Sequence, residues 1–404
     1  MSKFISHTEA RSRMLERVFP VDTEQVSLSR LPGRILARDV SARESIPPFD
    51  RSPYDGYAFR AGDTVQASQG SPVTLRILEE IPAGSVSHCP VTEGCAVKVL
   101  TGAPIPDGAD AVIKFERTEF TAETVTIFSP CKSGSNIVRA GEDVRAGDLL
   151  VKAGARIDAG LLGTLASQNI PSAEVYRVPR IGIISTGSEL VEVGSPRIPG
   201  KIYDSNRYML CAAVSKLGME PVLIGQAADN VPDILACIRQ GLAQCDGLLL
   251  TGGVSVGDYD LTPDAMEQAG VELLFRGVDM KPGMACAYGV WEGKPVCALS
   301  GNPASAITNF HAIAAPVLRK LSGQSSCIPQ EISVKLVNGF RKKSPGTRFL
   351  RGMLDLSDGT VRMRVPSEQG NAVLSSAIGC NVMAIIPAGS DAIPEGTELK
   401  GFLI

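Results

Sequence analysis

One stretch constrains this chain more than any other: Gly247-Leu-Leu-Leu-Thr-Gly-Gly-Val-Ser-Val-Gly-Asp-Tyr-Asp260. The apolar run 248–250 suits a buried strand, the glycines break it, and Thr262-Pro263 then offers an N-cap and a first-turn residue for a helix. Strand, glycine loop and helix in that order build open α/β sheets, whose ligands collect at the carboxyl ends of the strands. Glycine lets the backbone approach an anion there, with free N–H groups facing it. Two carboxylates in the loop, Asp258 and Asp260, suit a hard cation between protein and phosphate.

The same unit recurs on either side. Residues 180–190 read as a strand ending in a second glycine loop, and 205–217 as the helix after the loop 201–204. Residues 221–225 give another strand, ending near Asp229, followed by a helix over 231–242. A hairpin about Glu292-Gly293 spans 284–300 and delivers the chain to Ser300-Gly-Asn-Pro303. There Asn302 is the expected N-cap and Pro303 the first residue of a helix to about 321. Strands and helices alternating at this spacing predict a mostly parallel sheet covered on both faces.

At 404 residues the chain exceeds one ordinary core, so two to four domains are expected. A net charge of −3 argues against a nucleic-acid partner, so an anionic ligand must be met by a local cluster. No apolar run approaches the roughly 18 residues of a membrane span, and no basic segment with an apolar core of about 7–15 residues opens the chain. A cytoplasmic protein without membrane contact is expected. The ten cysteines never form Cys-x-x-Cys and lie mostly in apolar segments, which predicts free buried thiols. Three scattered histidines, His7, His88 and His311, argue against a histidine metal centre.

In chain order, Ser6-His-Thr-Glu9 resembles a capping box ahead of a helix with Ala10, Met14, Leu15 and Val18 on one face. Residues 24–40 read as a second short helical or turn segment, and 45–53 as a stiff proline-rich crossing. From 54 to about 142 short strands dominate, among them 73–79, 94–100 and 124–128. A helix beginning near Asp158 is expected to pair with the first helix, closing a discontinuous domain. After about 323 alternating runs at 331–336, 361–365 and 381–386 predict a small β barrel or sandwich.

The central loops repeat glycine, hydroxyl and carboxylate: Thr186, Gly187, Ser188 and Glu189; Asp204, Ser205 and Asn206; Asp229; Gly252, Gly253 and Ser255 with Asp258 and Asp260; Ser300, Gly301, Asn302 and Pro303. Any one is an ordinary turn, Glu189 alone a helix-start residue favoured by the dipole, and Asp260 alone a surface turn residue. Together, at strand ends of one sheet, they predict a phosphate- and metal-binding cleft. A carboxylate about 5 Å from an anion is repelled by roughly 3 kcal/mol at an effective dielectric of 20. A divalent cation or nearby cationic side chains must therefore compensate, with Lys281, Arg276, Arg348 and Arg351 the candidates.

These residues resemble the MoeA family of molybdopterin molybdenumtransferases, related to the carboxy-terminal part of gephyrin. The likeness rests on Pro47-Pro-Phe-Asp-Arg-Ser-Pro-Tyr-Asp-Gly-Tyr-Ala-Phe-Arg60, Leu100-Thr-Gly-Ala-Pro-Ile-Pro106, Gly141-Glu-Asp143, Ser185-Thr-Gly-Ser-Glu-Leu190, Gly200-Lys-Ile-Tyr-Asp-Ser-Asn206, the 252–260 loop and Gly301-Asn-Pro303. It implies a multidomain α/β and β fold. A discontinuous elongated domain covers 1–45 plus 140–177, a β-rich domain 46–139, a central MogA-like α/β domain 178–326, and a small β barrel 327–404.

It also implies a reaction: adenylylated molybdopterin is bound with Mg2+, molybdate enters, the phosphoanhydride is hydrolysed, and molybdenum cofactor and AMP leave. The functional positions carried over are Asp55, Thr101, Glu189, Asp229, Asp260 and Lys281, with Glu189, Asp229 and Asp260 on the metal. The remaining loop residues, with Arg276, Arg351 and Ser375, bind substrate. A homodimer is implied whose cleft lies between the central domain of one subunit and the β domain of the other. Its implied partners are a MogA-type molybdopterin adenylyltransferase and molybdoenzyme maturation factors. Gly277 and Met284 stand where the family usually has lysine, and Asn371 where it has serine, which leaves a tungstate-preferring variant or a non-catalytic pterin-binding scaffold as alternatives.

Overall fold

The computed structural model describes residues 4–196, 198–254, 261–357 and 359–404. The chain divides into two compact units, one of residues 1–38, 153–166 and 170–404, the other of 39–152 and 167–169.

The larger unit holds the α/β sheet. Its strands are β1 (Arg180–Thr186), β2 (Glu220–Ala227), β3 (Gly247–Thr251), β4 (Glu272–Arg276), β5 (Cys286–Trp291) and β6 (Lys294–Leu299), in the spatial order β2-β1-β3-β6-β5-β4. The first four in that order run parallel, and β5 and β4 add an antiparallel edge through the hairpin at Glu292-Gly293. Ile181, Ile183 and Leu249 face one layer, while Ile184, Leu248 and Leu250 face the other, so alternation along buried strands feeds two cores.

The helices of this unit are α1 (His7–Arg17), α2 (Ala159–Ser167, less its last residue), α3 (Ser205–Lys216), α4 (Val231–Gln244), α5 (Leu261–Gln268) and α6 (Pro303–Asn309). Caps mark their starts: Asp204 accepts from the N–H of Arg207 at 3.1 Å, and Asn230 from that of Asp233 at 2.9 Å. Asn302 is the N-cap of α6 with Pro303 behind it, though its side chain makes no capping bond. Beyond α6 the helix continues as a π-helical segment, Phe310–Ala314, and then Ala315–Leu321.

Three expectations are corrected. Ser6 caps α1 by accepting from the N–H of Glu9, but the Glu9 carboxylate turns to Arg13 instead of closing the box. The apolar face of α1, Ala10, Met14 and Val18, is buried with Phe275, Tyr288, Phe310 and Leu318 of the α/β core, so its partner is not the helix near residue 158. Residues Thr23–Ser27, expected as helix or turn, form a strand paired antiparallel with Ser172–Tyr176, a partner about 150 residues away that no local pattern announces.

The carboxy-terminal strands close a barrel in the order Glu331–Leu336, Arg362–Arg364, Arg348–Asp355, Val382–Ile386, Glu398–Leu403. Val334, Leu350, Val382 and Ala384 fill it, while Phe349, Met383 and Phe402, one residue out of step, join the α/β core. In the smaller unit a six-stranded sheet runs Ala111–Lys114, Gly56–Phe59, Cys95–Val99, Val73–Ile81, Thr124–Ile127, Thr118–Phe120. Tyr57 and Phe59 serve one of its faces and Ala58 the other. All ten cysteines are free, and among the described residues no helix is long and apolar enough to cross a membrane.

Candidate functional site

The carboxyl ends of β1, β2, β3 and β6 surround a cleft of about 1060 Å³. Its floor is interlocked. The N–H of Gly252 donates to Leu299 O at 3.0 Å and that of Gly187 to Ala227 O at 3.1 Å, so each turn is tied to a neighbouring strand. A Cβ on Gly252 would lie 2.3 Å from Thr186 O, and one on Gly253 2.5 Å from Thr262 Oγ1, both at positive φ. Only glycine fits this crossing. Thr262 is not the expected cap; it lies within α5, and its hydroxyl donates to Gly252 O at 3.1 Å.

Asn206, at the start of α3, fastens three segments. Its amide donates to Thr251 Oγ1 and to Gly301 O, both at 2.8 Å, and Thr251 Oγ1 donates to Ser300 O at 3.2 Å. Asp204 is buried beside Arg207, 3.8 Å from its Nε, and Arg207 also grips Glu192 with Nη2. Two carboxylates remain at the mouth. Asp229 accepts from the N–H of Ser188 at 2.8 Å, and its own N–H donates to Ser188 Oγ at 3.1 Å, clasping the loops after β1 and β2. The Glu189 carboxylate folds over Gly187.

On the other side Lys281 is held by the barrel: its N–H donates to Thr347 O at 2.8 Å and its carbonyl accepts from Phe349 at 2.9 Å. Asp279 lies against Gly346 there. Among the described lining residues Lys281 is the one cation against Glu189, Asp204, Asp229 and Asp279, and none of the described cationic side chains forms an ion pair with Glu189 or Asp229.

The cleft thus gathers Thr186, Gly187, Glu189, Asp204, Ser205, Asn206 and Asp229 with Gly252, Gly253, Lys281 and the Ser300–Pro303 turn. Ser255, Asp258 and Asp260 lie outside the described residues. Ser188 is exposed and reaches the cleft only through Asp229. Arg276 ends the edge strand β4, exposed and 4.0 Å from Asp264, away from the lining. Arg351 points out of the barrel toward α6, where it is 1% exposed and donates to Thr308 Oγ1 and Ser376 Oγ, lining a separate cavity of about 210 Å³. Ser375 is exposed; its neighbour Ser376 makes that contact. In the smaller unit Thr101 donates from both N–H and Oγ1 to Asp55 Oδ1, at 2.7 and 2.8 Å, which lowers the Asp55 pKa from its ordinary value.

Sequence reasoning missed Tyr203, Asp279, Gly346 and Thr347, which line the cleft. Tyr203 stood inside a quoted motif, but the barrel residues carried no signal, since only the packing of the barrel on the sheet brings them near.

Three family models match the chain: "MoeA N-terminal region (domain I and II)" over residues 5–168, "Probable molybdopterin binding domain" over 182–320, and "MoeA C-terminal region (domain IV)" over 333–401. A protein of Staphylococcus epidermidis named molybdopterin molybdenumtransferase is 35% identical over 394 residues, 97% of this chain and 94% of that one. A Bacillus subtilis protein of the same name is 34% identical over 389 residues, 95% and 90% of the two chains. The solved structure of a molybdopterin biosynthesis moeA protein from Pyrococcus horikoshii OT3 superposes with a TM-score of 0.86 at 32% identity, covering 100% of both chains. Fold, cleft and these likenesses agree: the chain belongs to the MoeA family of molybdenum cofactor biosynthesis enzymes, in which its Staphylococcus epidermidis and Bacillus subtilis relatives are named molybdopterin molybdenumtransferase.

Proposed function

We propose that the cleft binds adenylylated molybdopterin, admits molybdate, and releases molybdenum cofactor and AMP as the phosphoanhydride is hydrolysed. The observation that carries this is the convergence of Glu189 and Asp229, from different strand ends and without a cationic partner among the described residues, on one hollow with Lys281. Such a cleft repels a phosphoanhydride unless charge is supplied. The carboxylate oxygens fit a hard divalent ion. Glu189, Asp229 and Asp260 would hold Mg2+, which when bound neutralises and polarises the phosphate oxygens.

The chain's own groups do the rest. Backbone at Gly252, Gly253 and Gly301 allows close approach of the phosphates, Asn206 keeps the three turns in register, and Lys281 offers a charged donor to the oxyanion. Asp55, with its carboxylate oriented by Thr101, takes part in the same reaction. The reading includes a cytoplasmic homodimer receiving its substrate from a MogA-type adenylyltransferase. Purified protein supplied with adenylylated molybdopterin, Mg2+ and molybdate should release AMP; absence of turnover with molybdate and with tungstate would refute the reading.

A further inference from the structure

We infer that Tyr203 is the stacking platform for a fused nitrogen heterocycle of the substrate, a binding role deepening the proposed function and resting on it. Tyr203 is the one aromatic side chain among the described residues that line the cleft. A large aromatic left 42% exposed, on a lining that mixes glycines, hydroxyls and carboxylates with aliphatic side chains such as Leu190, Val254 and Met284, has too little packing around it to be explained as core. Ile202, also on the lining, is 56% exposed beside it.

The ring is held in place from two directions. Ile202–Tyr203 pairs in parallel with Leu190–Val191, the N–H of Ile202 donating to Glu189 O at 2.9 Å and that of Asp204 to Val191 O at 3.1 Å. The Tyr203 hydroxyl donates to Ser195 O at 3.1 Å. The hydroxyl's one proton is therefore given to the protein, so the side chain offers a ligand its ring and, at the oxygen, only acceptor lone pairs. The ladder sets this ring next to the segment carrying Glu189, so a phosphate group at the carboxylates has a flat apolar surface within the same wall. A nucleotide or pterin joined through phosphate presents that combination, a planar π system beside an anion, and stacking on such a platform tolerates either ring.

The test compares Tyr203→Phe, Tyr203→Leu and Tyr203→Ala in the full chain, measuring binding of AMP and of a free pterin by calorimetry, and turnover of adenylylated molybdopterin. Phe should keep the wild-type affinity, whereas Leu and Ala should lose about tenfold or more for the ligand whose ring stacks there. Loss confined to AMP assigns the adenine; loss confined to the pterin assigns the pterin. Wild-type affinity for both ligands in Ala and Leu, with turnover intact, overturns the platform and leaves the reaction standing. Tyr203-dependent binding without any turnover by the wild type keeps the platform and removes the reaction; a wild type that binds neither ligand overturns the platform, and turnover then decides the reaction by itself.

Discussion

Replacing Asn206 by alanine tests whether the cleft floor is held as described. The residue is 8% exposed, and the change removes hydrogen bonds to Thr251 Oγ1 and Gly301 O. Two net hydrogen bonds at about 1 kcal/mol each, plus roughly 1 kcal/mol for the carbonyl left without its donor, give a loss near 3 kcal/mol. Against this, Asn206 Oδ1 is itself buried without a partner, and deleting it returns roughly 1 kcal/mol. The expected net destabilisation is about 2 kcal/mol. Asn206→Asp keeps the size but turns donors into an anion facing a carbonyl, so at neutral pH it should cost more than alanine. The chain has a single tryptophan, Trp291, at the end of β5 in the same sheet, so urea unfolding followed by its fluorescence reports on this unit. An alanine variant within about 0.5 kcal/mol of wild type, or an aspartate variant more stable than alanine, would refute the argument.

Glu189→Gln and Asp229→Asn should each lower turnover by roughly 100-fold or more while leaving thermal stability almost unchanged, because none of the described cationic side chains pairs with either carboxylate and an amide oxygen at 229 still accepts from the N–H of Ser188; comparable loss of stability would mark them as structural. Met284 lines the cleft 49% exposed, so Met284→Lys should tighten oxyanion binding by about tenfold at low salt and less at high salt, read by titrating molybdate and tungstate. Burial, with Lys216 and Arg319 adding, pushes His311 down to about 3, and burial with Arg11 pushes His7 down to about 4. Both bind protons more weakly when folded, so stability is complete above the unfolded value near 6.5 and falls by up to about 1.4 kcal/mol per pH unit per histidine as pH drops toward those values. His311→Gln should flatten that decline between pH 6.5 and 4 in urea midpoints; an unchanged slope would contradict it.

Local chemistry made much of the central unit legible. Apolar runs ending in glycine located β1 and β3, Asn302-Pro303 located the start of α6, and the acidic strand ends located the cleft, since caps, turns and strand periodicity act over a few residues. What it could not reveal is pairing between distant segments. The strand Thr23–Ser27 exists because Ser172–Tyr176 lies beside it, and α1 chose the α/β core because that core offers an apolar surface larger than a neighbouring helix could.

The arginines make the same point at the site. Arg351 looked available to a substrate, but strand alternation turned it out of the barrel into the interface with α6, where Thr308 and Ser376 hold it. Lys281, by contrast, reaches the cleft because barrel residues Thr347 and Phe349 fasten its backbone. Which residues carry suitable chemistry was written in the chain itself; which of them face one another was decided by the packing of barrel on sheet, because burial of apolar faces sets side-chain direction only after distant strands have met.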